Sequence, residues 1–352
     1  MRIVHVGAWN RNWGDAAIQL ACRVAMQGEG EWVPLDCQST EFTASRVREL
    51  EATGQHVWLV GGGGLIWAKP ELESVSGWQW QISQEGMAEL HNPVVVWAVG
   101  SPVFPYGDRT WDADAPWAAP LRHSLRYLQS YASRFTVRGG LTRALLRQAS
   151  RVMVPEVVPD IGWALCEYLP NIGSRPRGPV GLVWADDKPD WRWAGQEQEV
   201  KDALIEQMGG QVTVIPHLTD EVTDGWPMAW GRQLVERHPA PEHVATWAVH
   251  RYRGLRAVVS VRKHGLVLGA ALGVPVVALG DVGEVAEIAT EIGAPVVSTK
   301  RLLSEPGVLE AAVGHAVETL GEQQERAHHA GVLTATGLRT AVQQAWKEAQ
   351  GG

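Results

Sequence analysis

The sequence predicts an α/β protein made of two Rossmann-like, doubly wound parallel-sheet domains facing a central cleft. Three observations predict it. Short apolar runs alternate with helical patterns, and such runs spaced by helices mark a parallel sheet covered on both faces. The alternation stops at Pro170–Pro179, a stretch dense in Pro and Gly without periodicity, and then restarts. The length, 352 residues, suits two domains of about 150 residues each.

The first strand is Ile3–Val6. A helix over Asp15–Gln27 follows, with Ala17, Ile18, Ala21, Cys22, Val24 and Ala25 spaced as one buried face. Val57–Val60, Val94–Val99 and Arg134–Val137 continue the strands, with helices near Pro120–Gln129 and Leu141–Gln148. These elements form a first domain over residues 1–172, joined by a linker at 173–179 to a second over 180–330. There Val180–Trp184, Val212–Ile215, Ala257–Val261 and Val274–Leu279 read as strands, and Gly265–Leu272 as a helix. The pattern is helical from about Leu303 to Gln350, and residues 331–352 are expected to cross back onto the first domain.

Composition narrows the function. Apolar residues make up 45% and charged residues 20%, which is ordinary for a folded protein. A net charge of −8 leaves no basic excess for nucleic acid. The most apolar stretch, Gly265–Gly280, is too short to span a bilayer and is broken by Gly269, Gly273 and Pro275. Arg2–Val6 enters a strand without a signal-peptide pattern. Cys22, Cys37 and Cys166 have neither disulfide-framework nor zinc spacing, and no His or Cys motif predicts a metal. A reducing, cytoplasmic setting is the expectation. The chain holds 18 Trp against 5 Tyr and 3 Phe. Trp58 and Trp97 lie in apolar strands and read as core. Trp78, Trp80, Trp191 and Trp193 lie in polar stretches, where an indole can stack on a sugar face.

Four clusters could carry chemistry. Asn12-Trp13-Gly14-Asp15 precedes the first helix, with Asp15 as its N-cap and Asn12 as the better neutral ligand. A functional Asp15 would face a hydroxyl acceptor as base. Gly61–Gly64 follows a strand; it lacks the Lys and Ser/Thr of a P-loop and the third glycine of a dinucleotide loop. Its Gly62, Gly63 and Gly64 would let a ligand approach the backbone. Arg138-Gly139-Gly140 sits at a strand end, where the Arg either points toward the cleft or lies on the surface. Arg262-Lys263-His264 is the most informative, because three cationic groups at the end of an apolar strand meet a helix N-terminus that already favours an anion. Weaker candidates are Pro159-Asp160, which would shape the cleft floor or cap the next helix, and His217 with Asp220 nearby. His328 and His329 read as solvent-facing.

Taken in order, Asn12–Asp15, Gly61–Leu65, Val137–Gly139, Pro159-Asp160 and Ser260–His264 with Gly273–Pro275 resemble the polysaccharide pyruvyltransferase family. The resemblance implies a fold similar to GT-B glycosyltransferases and transfer of pyruvate from phosphoenolpyruvate to sugar hydroxyls. It implies that Arg262 and His264 bind this donor, with Arg138 assisting from the other domain. His264 would be the acid or a phosphate ligand, and Asp15 would act on the acceptor side. No cofactor beyond the donor substrate and no obligatory metal is implied; the expected partners are a small anionic donor, a carbohydrate acceptor and a second copy of the chain.

One feature departs from that pattern. Asp281, Glu284, Glu287 and Glu291 follow the strand Val274–Leu279, where a ribose-binding site would want carboxylates. A GT-B glycosyltransferase using a nucleotide sugar is therefore a competing reading. A non-catalytic anion- or glycan-binding protein of the same fold is another.

Overall fold

A computed structural model describes residues 1–8, 12–37, 40–66, 75–101, 118–150, 155–185, 193, 195–209, 212–217, 231–232 and 240–351. Its organising feature is a pair of six-stranded sheets, all parallel. The first is built from β1 (Arg2–Gly7), β2 (Glu31–Asp36), β3 (Val57–Gly61), β4 (Val94–Val99), β5 (Arg134–Arg138) and β6 (Glu156–Val158), in the order β2-β1-β3-β4-β5-β6. The second is built from β7 (Val180–Val183), β8 (Val212–Val214), β9 (Gly231–Arg232), β10 (Ala257–Ser260), β11 (Val276–Leu279) and β12 (Val296–Val297), in the order β12-β11-β10-β7-β8-β9. The central strands β3, β4, β7, β10 and β11 are buried at every residue, which is why they read as unbroken apolar runs.

Strand order fixes where a ligand can sit. In the first sheet the chain moves outward from β1 to β2, then returns to β3, so the order reverses between β1 and β3. In the second sheet it reverses between β7 and β10. Open parallel sheets bind ligands at these reversals, beyond the carboxyl ends of the strands. The segments there are Asn12–Gly14 and Gly61–Gly64 in one half, and Trp184 and Arg262–His264 in the other.

The helices that position the site are α1 (Trp13–Ala25), α5 (Gly140–Ser150), α8 (Lys263–Ala271) and α9 (Gly283–Ile292). Helices α2 (Ala44–Glu51), α3 (Gln84–Ala88), α4 (Ala118–Tyr131), α6 (Glu197–Met208) and α7 (Val244–Tyr252) cover the sheets. The helical C-terminus is three helices: α10 (Thr299–Ser304), α11 (Val308–Glu318) and α12 (Leu320–Gly351). Helix α12 lies on the first sheet and on the 3-10 turn Ile161–Glu167; Trp97 Nε1 donates to Thr334 Oγ1 at 3.3 Å, and Arg339 Nε donates to Ala25 O at 3.0 Å. One apolar cluster runs from Ile3 and Ile18 through Ile161 and Trp163 to Val258, Val267 and Leu338, so the two halves share a core.

Several boundaries differ from the sequence expectation. Helix α1 starts at Trp13 and α8 at Lys263, each two residues earlier than the apolar pattern suggests, because their first turns carry the polar residues of the site. Trp78, Trp80 and Trp193 are not presented to a ligand; each is almost fully buried. Ser76 Oγ donates to the carbonyls of Trp78 and Trp80 and folds that segment inward, where both indoles join Phe42 and Trp58. Trp193 stacks on Trp184 at 4.8 Å between ring centres. Trp191 and Asp220 lie outside the described residues. No helix of the described residues is long and apolar enough to cross a membrane.

Candidate functional site

The second half contributes the start of α8. Ser260 Oγ donates to Arg262 O at 2.6 Å and accepts Arg262 N–H at 3.1 Å, a local turn that sets the chain into the helix. Among the described residues no side chain caps α8, so its first turn presents N–H groups and the positive end of the dipole. Arg262 Nε donates to Trp184 O at 3.1 Å, which ties the guanidinium to the end of β7 across the strand-order reversal. Lys263 and His264 are both buried, and among the described residues neither Lys263 Nζ nor His264 Nε2 has a hydrogen-bond partner. Burial, together with Arg138, His217 and Arg262, holds the His264 imidazole well below its usual value. The ring is therefore neutral near pH 7 while no anion is bound.

The first half answers with the start of α1. The N-cap is Asn12, not Asp15: Asn12 Oδ1 accepts Asp15 N–H at 2.8 Å, and Asn12 Nδ2 donates to Asp15 Oδ2 at 2.6 Å. Asp15 is thus the third helical residue, half-buried, beside an amide that orients its carboxylate. Trp13 N–H donates to His217 O at 2.9 Å, and the Trp13 indole stacks on Trp247 at 4.6 Å. Gly14 lies against the His264 ring; an ideal Cβ there would fall inside Nδ1, so any side chain would displace the imidazole. His217 shares a hydrogen bond between Nε2 and the Tyr252 hydroxyl at 3.0 Å, and burial lowers its imidazole to about 3.

The floor of the cleft is a chain of alternating charges. Arg138, at the end of β5, is neither a surface residue nor an open cation. Its NH1 donates to Asp160 Oδ2 at 3.0 Å and its NH2 to Glu284 Oε2 at 2.6 Å. Asp160 is wholly buried, caps the 3-10 turn by accepting Gly162 N–H at 2.8 Å, and also meets Lys263 Nζ at 3.6 Å. Burial pushes its carboxyl up, and Arg138 and the Gly162 N–H oppose this. Arg138 and Asp160 come from the first half and Glu284 from the second, so the hydrogen-bonded Arg138–Glu284 pair ties the two together.

The carboxylates read as a ribose site are spent on the same task. Glu284, Glu287 and Glu291 share one face of α9 by their spacing. Glu287 Oε1 accepts Leu141 N–H at 2.8 Å, so a carboxylate of the second half caps α5 of the first. Gly139 makes this approach feasible, because its φ is +79° and a Cβ would collide with the Glu287 carboxylate. Glu291 Oε2 accepts Trp163 Nε1–H at 2.7 Å, and burial raises its carboxyl to about 7. Asp281 accepts Thr299 N–H at the start of α10. Trp193 also covers Gly280 at the end of β11, its ring 3.3 Å from where a Cβ would stand.

The glycine run is explained first by packing. Gly62, at φ +68°, donates its N–H to Trp97 O at 3.0 Å, and a Cβ there would collide with Ile18. Gly63, at φ +99°, accepts Gly100 N–H at 2.9 Å, and Gly64 O accepts from Gln79 Nε2 at 2.8 Å. The features missed by sequence reasoning are Trp247, Tyr252, the contact of Gly14 with the His264 ring and the latch role of the α9 glutamates. The i, i+3, i+7 spacing of the glutamates signals a shared face but not its partner.

The profile of the polysaccharide pyruvyl transferase family matches residues 57–281, which is more than half of the chain. That span holds the glycine run, Arg138, Asp160 and Arg262–His264; Asn12–Asp15 lies before it. No curated relative matches the sequence. Among solved structures, a Listeria monocytogenes protein assigned as a UDP-N-acetylglucosamine 2-epimerase superposes with a TM-score of 0.57 at 12% identity, covering 99% of this chain and 97% of that one. The Neisseria meningitidis UDP-GlcNAc 2-epimerase bound to UDP-GlcNAc gives a TM-score of 0.50 at 12% identity, with full coverage of both chains. At such identity these likenesses establish the fold, which is GT-B-like. The match over residues 57–281 makes this chain a transferase of the polysaccharide pyruvyl transferase family.

Proposed function

We propose that the chain moves pyruvate from phosphoenolpyruvate to hydroxyls of a sugar or glycan. The observation that carries the reading is the uncapped start of α8, where Arg262, Lys263 and His264 gather and two buried nitrogens await acceptors. A donor with a phosphate and a carboxylate supplies those acceptors. A nucleotide sugar is disfavoured, because the carboxylates that would hold a ribose are engaged across the domains and Trp193 covers the end of β11.

In this reading Arg262 and His264 bind the donor phosphate. The phosphate charge raises the imidazole, which takes up a proton and becomes a positioned acid. The donor methylene carbon gains a proton and becomes a methyl group as a first acceptor oxygen bonds to the adjacent carbon; the bond from that carbon to the phosphate oxygen then breaks, a second acceptor hydroxyl bonds to the same carbon to close a ketal, and the departing phosphate takes that second hydroxyl's proton. Asp15 accepts the first hydroxyl's proton. Asn12 orients Asp15.

The test is release of inorganic phosphate from phosphoenolpyruvate in the presence of a panel of sugars. Wild-type protein releases phosphate with at least one acceptor. Arg262→Ala and His264→Ala lose at least about 100-fold, the scale of removing a positioned acid or a charge clamp. Full activity in both variants contradicts the reading.

A further inference from the structure

We infer that Glu284 is an internal competitor of the anionic ligand: its carboxylate holds Arg138, and the anion bound at the start of α8 takes that guanidinium by displacing it. The inference rests on the anion-site reading above and adds what sets the affinity of that site.

Arg138 borders the start of α8. Asp160 Oδ2 accepts its NH1 at 3.0 Å and meets Lys263 Nζ at 3.6 Å, so the guanidinium and the first residue of the helix share one oxygen. Its charge reaches the next residue too: after burial, Arg138 is the largest influence holding the His264 imidazole down. An anion seated against His264 therefore lies within the field of Arg138, and the NH2 group can donate to a phosphate or carboxylate oxygen once its present acceptor leaves.

The two carboxylates on Arg138 are not held alike. Asp160 is fixed: its side chain is 1% exposed, and Oδ1 is committed to Gly162 N–H at 2.8 Å. Glu284 can leave. It is 18% exposed, stands in the first turn of α9, and among the described residues accepts only from Arg138 NH2, at 2.6 Å. Turned outward it regains water, and the single donor it strands is one that the ligand satisfies.

Its departure also relieves crowding. Burial raises the carboxyls of Asp160 and Glu287, and the charge of Glu284 adds to the rise in both. An anion that arrives with Glu284 in place brings more negative charge to that group, whereas exchange of one for the other leaves the balance around Arg138 nearly level. Apparent affinity is therefore reduced by the fraction of molecules in which Arg138 is free of Glu284. The halves stay joined through the exchange, because the ligand then bridges Arg138 of the first to Arg262 and His264 of the second.

The experiment compares wild type, Glu284→Gln and Glu284→Ala as full chains, with phosphoenolpyruvate, inorganic phosphate and UDP as calorimetric probes at one ionic strength. Glu284→Gln keeps an acceptor for Arg138 without the charge, and Glu284→Ala removes both. An exposed Glu318→Gln variant on α11 makes the same change in net charge and serves as control. Both Glu284 variants are expected to bind every probe that wild type binds at least about fivefold more tightly, with the control unchanged. A carboxylate with a merely structural role would not raise affinity when removed. Unchanged or weaker binding in either Glu284 variant that melts cooperatively overturns the inference, as does loss of cooperative melting in both. If wild type binds no probe, binding by a Glu284 variant supports the inference and its absence in all proteins overturns it. If wild type takes UDP and refuses phosphoenolpyruvate, the pyruvyl reading falls, and the role of Glu284 is decided by the affinity ratio for UDP.

Discussion

Replacing Glu291 with Gln should stabilise the protein, and the gain should grow with pH. The Glu291 carboxyl is buried against Trp163, with Asp160 and Glu287 nearby, and its ordinary value of 4.5 rises to about 7 in the fold. The folded state therefore holds a proton between those values that the unfolded chain has released. The stability this provides is fully present below pH 4.5 and is lost as pH rises through about 7. At 1.36 kcal/mol per pKa unit the loss amounts to about 3 kcal/mol at most. Gln keeps the acceptor for Trp163 Nε1–H and cannot ionise, so it isolates the proton from the hydrogen bond. Chemical denaturation at pH 5 and pH 8 measures the effect, with the variant as reference for all other titrating groups. The expected result is a variant close to wild type at pH 5 and more stable by up to about 3 kcal/mol at pH 8. Parallel pH profiles for the two proteins would refute the reasoning.

Three further outcomes follow from the same geometry. Glu287→Ala removes the carboxylate that caps α5 from the other half, and should cost about 1–2 kcal/mol by thermal or urea unfolding. Gly14→Ala forces the His264 ring aside; it should cost about 1–3 kcal/mol of stability and shift the His264 imidazole resonance, weakening the donor more than an exposed Gly321→Ala control. Donor binding at pH 7 should take up a proton at His264, so the calorimetric enthalpy should depend on the ionisation enthalpy of the buffer, and His264→Gln should abolish that dependence.

The apolar strands were legible because burial on both faces writes itself into a run of residues. Ile3–Val6, Val94–Val99 and Ala257–Val261 each fall on a strand or within a residue of its end. Edge strands were not legible: β2 contains Pro34 and exposed positions, and β6, β9 and β12 are two or three residues long. Arg262-Lys263-His264 was legible because charge at the end of a buried strand has no packing rationale. What sequence could not supply was the partner of each charge. Arg138 and Glu284 stand 146 residues apart in chain order, and the ion pair that consumes both exists only once the two sheets meet. The indoles of Trp78, Trp80 and Trp193 failed for the same reason: polar neighbours in sequence do not say which way a side chain points.

The central claim is that the anion site at α8 serves phosphoenolpyruvate, and a calorimetric titration against that donor and a panel of nucleotide sugars tests it most directly. A ligand that binds the native state alone must also raise the melting temperature. Saturable binding of phosphoenolpyruvate, lost in Arg262→Ala and absent for the nucleotide sugars, is the predicted result. Tight binding of a nucleotide sugar with none of phosphoenolpyruvate would contradict the account.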